Sequence, residues 1–149
     1  MAKIVIAFAS MSGNTEEIAD LLKVSIEPFE HEIDLAEIEH MDVNDLLQYD
    51  GILIGSYTWG DGDLPYETED FYEDLLSIDL TGKKAAVFGS GDHAYPKFCA
   101  VVDLFEERLK ECNAELIQEG LKVELTPDTQ EEIDECVDFA VNFASQIGE

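Results

Sequence analysis

The chain has 149 residues, 46% of them hydrophobic, and sets 35 acidic against 8 basic side chains for a net charge of −27. That length suits one domain, 1–149, and no apolar run approaches the ~20 residues of a membrane-spanning helix. The charge repels nucleic acid and anionic membranes and steers basic protein partners toward the surface, faster at low salt. From the N-terminus, 4–9 is an apolar run that reads as a strand over about 3–9. Ser10-Met11-Ser12-Gly13-Asn14-Thr15 follows directly, and a helix with Ile18, Leu21 and Leu22 on one stripe is expected over about 14–26. Residues 31–36 alternate as a strand with one wetter face. Residues 41–48 hold one or two helical turns with Asp42 as a cap. Residues 51–56 are continuously apolar, as a strand covered on both faces requires.

A turn-rich loop, 57–65, leads to a helix over about 67–77 that buries Phe71, Leu75 and Ile78. The fourth strand is 84–90 and the next loop 91–97. A helix over 98–113 carries the stripe Val101, Val102, Phe105 and Leu109. Residues 115–117 and 121–125 form one final strand interrupted at 118–120. The last helix begins near Thr126-Pro127 or at the capping box Thr129–Glu132, with Ile133, Val137, Ala140, Val141 and Ala144 inward. This alternation implies an α/β fold: a doubly wound, five-stranded parallel sheet of order 2-1-3-4-5 with helices on both faces. A sheet of that order places its site at the topological switch point, beyond the C-terminal ends of the strands.

The loops after the first, third and fourth strands therefore converge on one rim. The first aims backbone N–H groups and a helix N-terminus at one point, which suits a phosphate, and it contains no lysine or arginine. The second offers Trp59 among glycines and acids, the third Tyr95; two such rings sandwich a planar heterocycle. A G-x-x-x-x-G-K-[ST] loop and a G-x-G-x-x-G turn after the first strand are both missing, so nucleotide hydrolysis and dinucleotide binding lack their motifs. The acidic pair of a response-regulator receiver is replaced by Ala9-Ser10. Cys99, Cys112 and Cys136 form no C-x-x-C pair and read as free, buried thiols, while His31, His40 and His93 do not cluster and read as solvated surface.

Ser-x-Ser-Gly-Asn-Thr at 10–15, Thr-Trp-Gly-Asp-Gly-Asp-Leu-Pro at 58–65 and Gly-Ser-Gly-Asp…Tyr…Phe-Cys at 89–99 resemble the flavodoxins along nearly the whole chain. The last strand carries no insertion of about twenty residues, so the chain resembles their short-chain class, as found in bacilli. The resemblance implies non-covalent FMN and one-electron transport without a substrate reaction. Carried over by position, Ser10, Ser12, Asn14 and Thr15, with the backbone of Met11, Gly13 and their neighbours, hold the phosphate. Thr58 reaches the phosphate or ribityl region. Trp59 and Tyr95 pack on the flavin faces, and Gly91, Asp92, Lys97 and Cys99 border the pyrimidine edge. The Gly60–Asp61 peptide flips on reduction, which glycine permits. Tyr57 stands where many relatives carry a phosphate-touching serine.

The resemblance further implies a low-potential shuttle between semiquinone and hydroquinone. Asp61, Asp63, Glu67, Glu69 and Asp92 oppose a second negative charge on the ring. Expected partners are a ferredoxin/flavodoxin–NADP reductase and acceptors such as cytochromes P450, radical enzymes or a ribonucleotide reductase activating system. The chain is expected in the cytoplasm, since no basic-then-apolar leader precedes the first strand, and is expected to be a monomer. The competing readings are a flavin enzyme such as an NAD(P)H-quinone reductase, a ribonucleotide reductase activator on the same fold, and a colourless binding module.

Overall fold

The computed structural model describes residues 2–10, 13–58, 62–91 and 98–147. Strands β1 (Lys3–Phe8), β2 (Glu32–Glu37), β3 (Gly51–Tyr57), β4 (Lys84–Gly91), β5 (Glu115–Leu116) and β6 (Leu121–Glu124) form one parallel sheet. Its order is β2-β1-β3-β4-β5, with β6 also paired to β4, as the alternation predicts. The expected final strand is two short strands, both laid along β4, with 117–120 between them. The helices are α1 (Asn14–Ile26), α2 (Glu69–Asp74), α3 (Ala100–Glu111) and α4 (Gln130–Ser145).

The pleat sends alternate residues to opposite faces. Val5 and Ala7 of β1, with Ile52 and Ile54 of β3, pack against Phe71, Leu75 and the α3 stripe Val101, Val102, Phe105 and Leu109. Ile4, Ile6 and Phe8, with Leu53, face α1 and α4 instead. The sheet is thus buried on both faces, which is why β1, β3 and β4 read as continuous apolar runs. The edge strand β2 buries none of its six residues fully.

Several expectations need correction. The region 67–77 is a composite: 3-10 turns Tyr66–Thr68 and Leu75–Ser77 flank a six-residue α2. Ile78 is only partly buried beside Phe71 and Leu75. α3 starts two residues later than expected because Cys99 adopts φ 52°, a left-handed conformation outside any helix. α4 starts at the Thr129–Glu132 capping box, not at Pro127, and buries a different stripe. Cys136, Phe139, Ala140, Phe143 and Ala144 point inward, while Val141 is 39% exposed and Ile133 and Val137 lie at the margin. Two phenylalanines on that stripe bury more apolar area than the β-branched residues of the other. Asp42 does cap its 3-10 turn, Val43–Gln48, in a reciprocal box with Asp45. His31 is not merely solvated. Ala2 N–H donates to its Nδ1 at 3.3 Å and its Nε2 donates to the Ala144 carbonyl at 3.2 Å, tying the two ends of the chain together.

Candidate cofactor site

The turn after β1 is shaped by two residues. Gly13 sits at φ +90°, a region open to glycine at little cost, and a Cβ there would meet no neighbour. The Ser10 hydroxyl accepts the Gly13 N–H at 3.0 Å. α1 then begins at Asn14 with no side-chain cap. Its first-turn N–H groups have no intrahelical partner by geometry, and they carry the positive end of the helix dipole. Thr15, one residue in, is 1% exposed, and its hydroxyl lies 2.7 Å from that of Ser90 near the end of β4. One of the two protons is used between them, so the pair retains a donor for an incoming oxygen. Asn14 and Ser10 are half-buried beside them.

The turn after β3 is fixed from two sides. Thr58 Oγ1 accepts the Val101 N–H at 3.1 Å, which caps the first turn of α3 and leaves the hydroxyl proton to donate. The Tyr57 hydroxyl donates to both Glu67 oxygens at 3.0 Å. Burial first, and the Glu67 carboxylate second, push the Tyr57 phenol up to about 12. The hydroxyl that a serine would aim at a phosphate is therefore committed to Glu67. Beyond Gly62, which also has φ 90°, Thr68 Oγ1 donates to the Pro65 carbonyl at 2.8 Å and fastens the turn.

After β4, Gly91 and Cys99 touch. A Cβ on Gly91 would lie 2.9 Å from the Cys99 sulfur and 3.0 Å from its nitrogen, closer than atoms sit, so only glycine fits. The Gly91 carbonyl accepts Leu125 N–H at 2.7 Å and anchors the end of β6. The Cys99 thiol is fully buried, facing the Gly89 and Val123 carbonyls at 3.8 and 3.9 Å. Burial pushes it up to about 12, so it is packing, not a nucleophile. Cys112 and Cys136 are likewise free and buried.

Ser10, Gly13, Asn14, Thr15, Thr58, Gly91 and Cys99 thus gather at the C-terminal ends of β1, β3 and β4. Met11, Ser12, Trp59, Gly60, Asp61, Asp92, Tyr95 and Lys97, with His93, lie outside the described residues. The sequence reading missed Ser90 as a site residue. Its signal was a hydroxyl between glycines in an otherwise apolar strand, 2% exposed in the structure. Among the described residues of the cradle every donor is neutral: hydroxyls, an amide and backbone N–H. Such a set fits a phosphate monoester, which accepts several hydrogen bonds at once. No His, Cys, Asp and Glu cluster among the described residues could hold a metal ion.

A doubly wound sheet with a neutral phosphate cradle at its switch point defines the flavodoxin-like class of nucleotide-binding α/β proteins. The flavodoxin family profile matches residues 6–139, and the chain belongs to that family. Flavodoxins are FMN-binding electron-transfer proteins and not substrate-converting enzymes, and this chain shares that class and that cofactor. It is 54% identical over 143 residues to probable flavodoxin 1 of Bacillus subtilis (strain 168), covering 96% of this chain and 90% of that one. It is 36% identical over 151 residues to a flavodoxin of Maridesulfovibrio salexigens, covering 99% and 100%. The crystal structure of oxidised flavodoxin 2 from Bacillus cereus superposes with a TM-score of 0.95 at 63% identity, covering 97% and 99%. Among the described residues no helix is long and apolar enough to cross a membrane.

Proposed function

We propose that the chain is a low-potential carrier that takes single electrons on non-covalently bound FMN from a reductase and passes them to acceptor enzymes. The observation that carries this is the Thr15–Ser90 hydroxyl pair beside the uncapped start of α1, with no cation among the described residues of the cradle. Bound FMN supplies the one-electron chemistry. The Ser10, Ser12, Asn14 and Thr15 side chains, with the N–H groups from Met11 to Thr15, hold its phosphate, and Thr58 the ribityl end. Trp59 and Tyr95 cover the ring faces. The Gly60–Asp61 peptide would be free to offer its carbonyl to the reduced ring, and Gly91, Asp92, Lys97 and Cys99 would line the remaining edge through their backbone.

Holding the phosphate by dipoles leaves its charge uncancelled, so Asp63, Glu67 and Glu69 act on an already negative site. That field is the support for a low potential between the one- and two-electron-reduced levels. The reductase is expected to be of the ferredoxin/flavodoxin–NADP type and the partners to present basic patches in small, transient interfaces. The same reading has 1–149 acting as one cytoplasmic, monomeric domain. A visible spectrum followed by stepwise dithionite reduction tests it: the expected result is a yellow protein reduced in two separate one-electron stages. A colourless protein, or one two-electron step, overturns it. The flavin-enzyme alternative predicts steady NAD(P)H–quinone turnover without a reductase, and nothing among the described residues of the cradle favours it.

A further inference from the structure

We infer that Val102 is a positioning residue for the cofactor site: its two methyl groups key the start of α3 into a socket of two glycines and so hold Thr58 and Cys99 at a fixed spacing. This rests on the carrier reading for what lies between those residues, and adds what sets the space. Val102 lies in the first turn of α3 and is 1% exposed. A Cβ on Gly89 would stand 2.6 Å from its Cγ2, and a Cβ on Gly120 would stand 2.6 Å from its Cγ1. Each methyl therefore fills the space that a side chain would take at one glycine. Gly89 belongs to β4, and Gly120 lies in the break between β5 and β6. A β-branched residue in a helix holds its two methyls in one strongly preferred rotamer, so a single side chain serves both glycines.

The socket reaches the site through the residues just before Val102. The Val101 N–H donates to Thr58 Oγ1, which ties the turn after β3 to α3. Cys99 lies against Gly91, which is on the same face of β4 as Gly89. The start of α3 thus meets β4 at two bare positions, Gly89 under Val102 and Gly91 under Cys99. Neither contact leaves room for a side chain between helix and strand, so lifting the helix start opens both. The chain runs from Thr58 into the 59–61 loop, and the 92–97 loop runs back toward Cys99, so both loops that border the flavin in the carrier reading end at this seat. Neighbours on α3 keep the socket shut. One turn on from Val102, the Glu106 carboxylate accepts the Gly120 N–H, and Lys122 Nζ donates to Asp103 at 3.1 Å. The glycine in the break of the last strand therefore serves the cofactor end of the sheet, although it touches no residue of the cradle.

The test separates shape from stability. Val102→Ala empties both halves of the socket, whereas Val102→Thr keeps the branched shape and buries a hydroxyl, so both lower the stability of the apoprotein in urea. FMN affinity of the folded apoprotein, read by fluorescence titration, is expected to fall at least about tenfold in Val102→Ala and less than about twofold in Val102→Thr. Hydrogen exchange in the apoprotein gives a readout without cofactor. The rate at the Val101 amide, divided by that at Leu109 later in α3, is expected to rise at least about tenfold in Val102→Ala and to hold in Val102→Thr. Gly120→Ala, whose Cβ meets the Val102 methyl, is expected to weaken FMN as well. Combining it with Val102→Ala moves a methyl across the socket and should bind FMN at least about threefold more tightly than Val102→Ala alone. Thr58→Val with Val102→Ala should lose less affinity than the two single losses multiplied, since both act on one contact. Should Val102→Ala not fold, Gly120→Ala against Val102→Thr reads the same question. Equal affinity losses in Val102→Ala and Val102→Thr, an unchanged exchange ratio, or losses that multiply with Thr58→Val overturn the inference. A wild-type protein that binds no FMN overturns the carrier reading, while the exchange ratio still reads the seat.

Discussion

The two ends of the sheet are built from different chemistry. At the end where the strands begin, cations and apolar groups fasten the chain. Lys84 Nζ donates to the Gln146 carbonyl at 2.7 Å at the close of α4, Lys83 Nζ to the Leu47 carbonyl at 2.9 Å, and His31 bridges Ala2 and Ala144. Phe143 and Ile147 lie 3.2 Å from where a Cβ on Gly51 would stand, so the backbone of β3 is packed flush at its start. At the other end, buried hydroxyls and backbone N–H groups form a neutral cradle with carboxylates outside it. The lysines Lys83 and Lys84 thus serve to fasten backbone carbonyls at the end away from the cradle. One end supplies cohesion; the other is left polar and, outside the cradle, negative.

This division can be broken by substitution. The largest effect is expected from Phe143→Ala, which empties a fully buried ring site and lowers stability by about 3–5 kcal/mol in urea unfolding of the apoprotein. FMN affinity of the folded variant should be unchanged; a parallel loss would erase the division. Thr15→Val acts at the other end. It strands the buried Ser90 hydroxyl, at about 1–3 kcal/mol, and weakens FMN at least about tenfold in a fluorescence titration. Combining it with Ser90→Ala should lose less stability than the two single changes summed, since they share one contact.

Alkaline pH probes the interior between the ends. The Cys99 and Cys136 thiols are pushed by burial to about 12 and about 11, above the ordinary value near 9. A raised folded value means the stabilising effect is complete below pH 9 and is lost as pH rises through 11 and 12. Melting temperature should therefore fall across that window, and the fall should shrink in Cys136→Ala. Removing one carboxylate near the site with Asp63→Asn should raise the second reduction potential by about 20–70 mV for a charge ~10 Å from the ring, read by spectroelectrochemistry. The smallest effect belongs to Lys23→Gln. Its pair with Glu27 spans 3.8 Å on an exposed helix face and should matter by under about 0.5 kcal/mol.

How far the sequence speaks differs between these ends too. The buried strands and their order follow from apolar runs and alternation, because covering both faces of a parallel sheet leaves no other pattern. The cap at Asp42 and the box at Thr129 are local signals and were readable, the first as a single cap and the second as one of two possible helix starts. The inward stripe of α4 was not, because two apolar stripes compete on that helix and only the facing sheet chooses between them. The composite 66–77 segment mixes helix types that share one apolar spacing. In the cradle, Ser10, Gly13 and Thr15 were legible from a hydroxyl-rich turn after a strand. Ser90 and the Val101 N–H were not, since each acts on a partner tens of residues away.

The Thr15–Ser90 contact joins residues 75 apart in the chain. One half of the cradle leaves the ribosome early, with β1 and the start of α1. The other arrives only after three more strands and their crossovers have been made. A nascent chain shorter than β4 therefore has a phosphate loop but no second hydroxyl to close it. The cradle is therefore complete only once the sheet has reached its fourth strand.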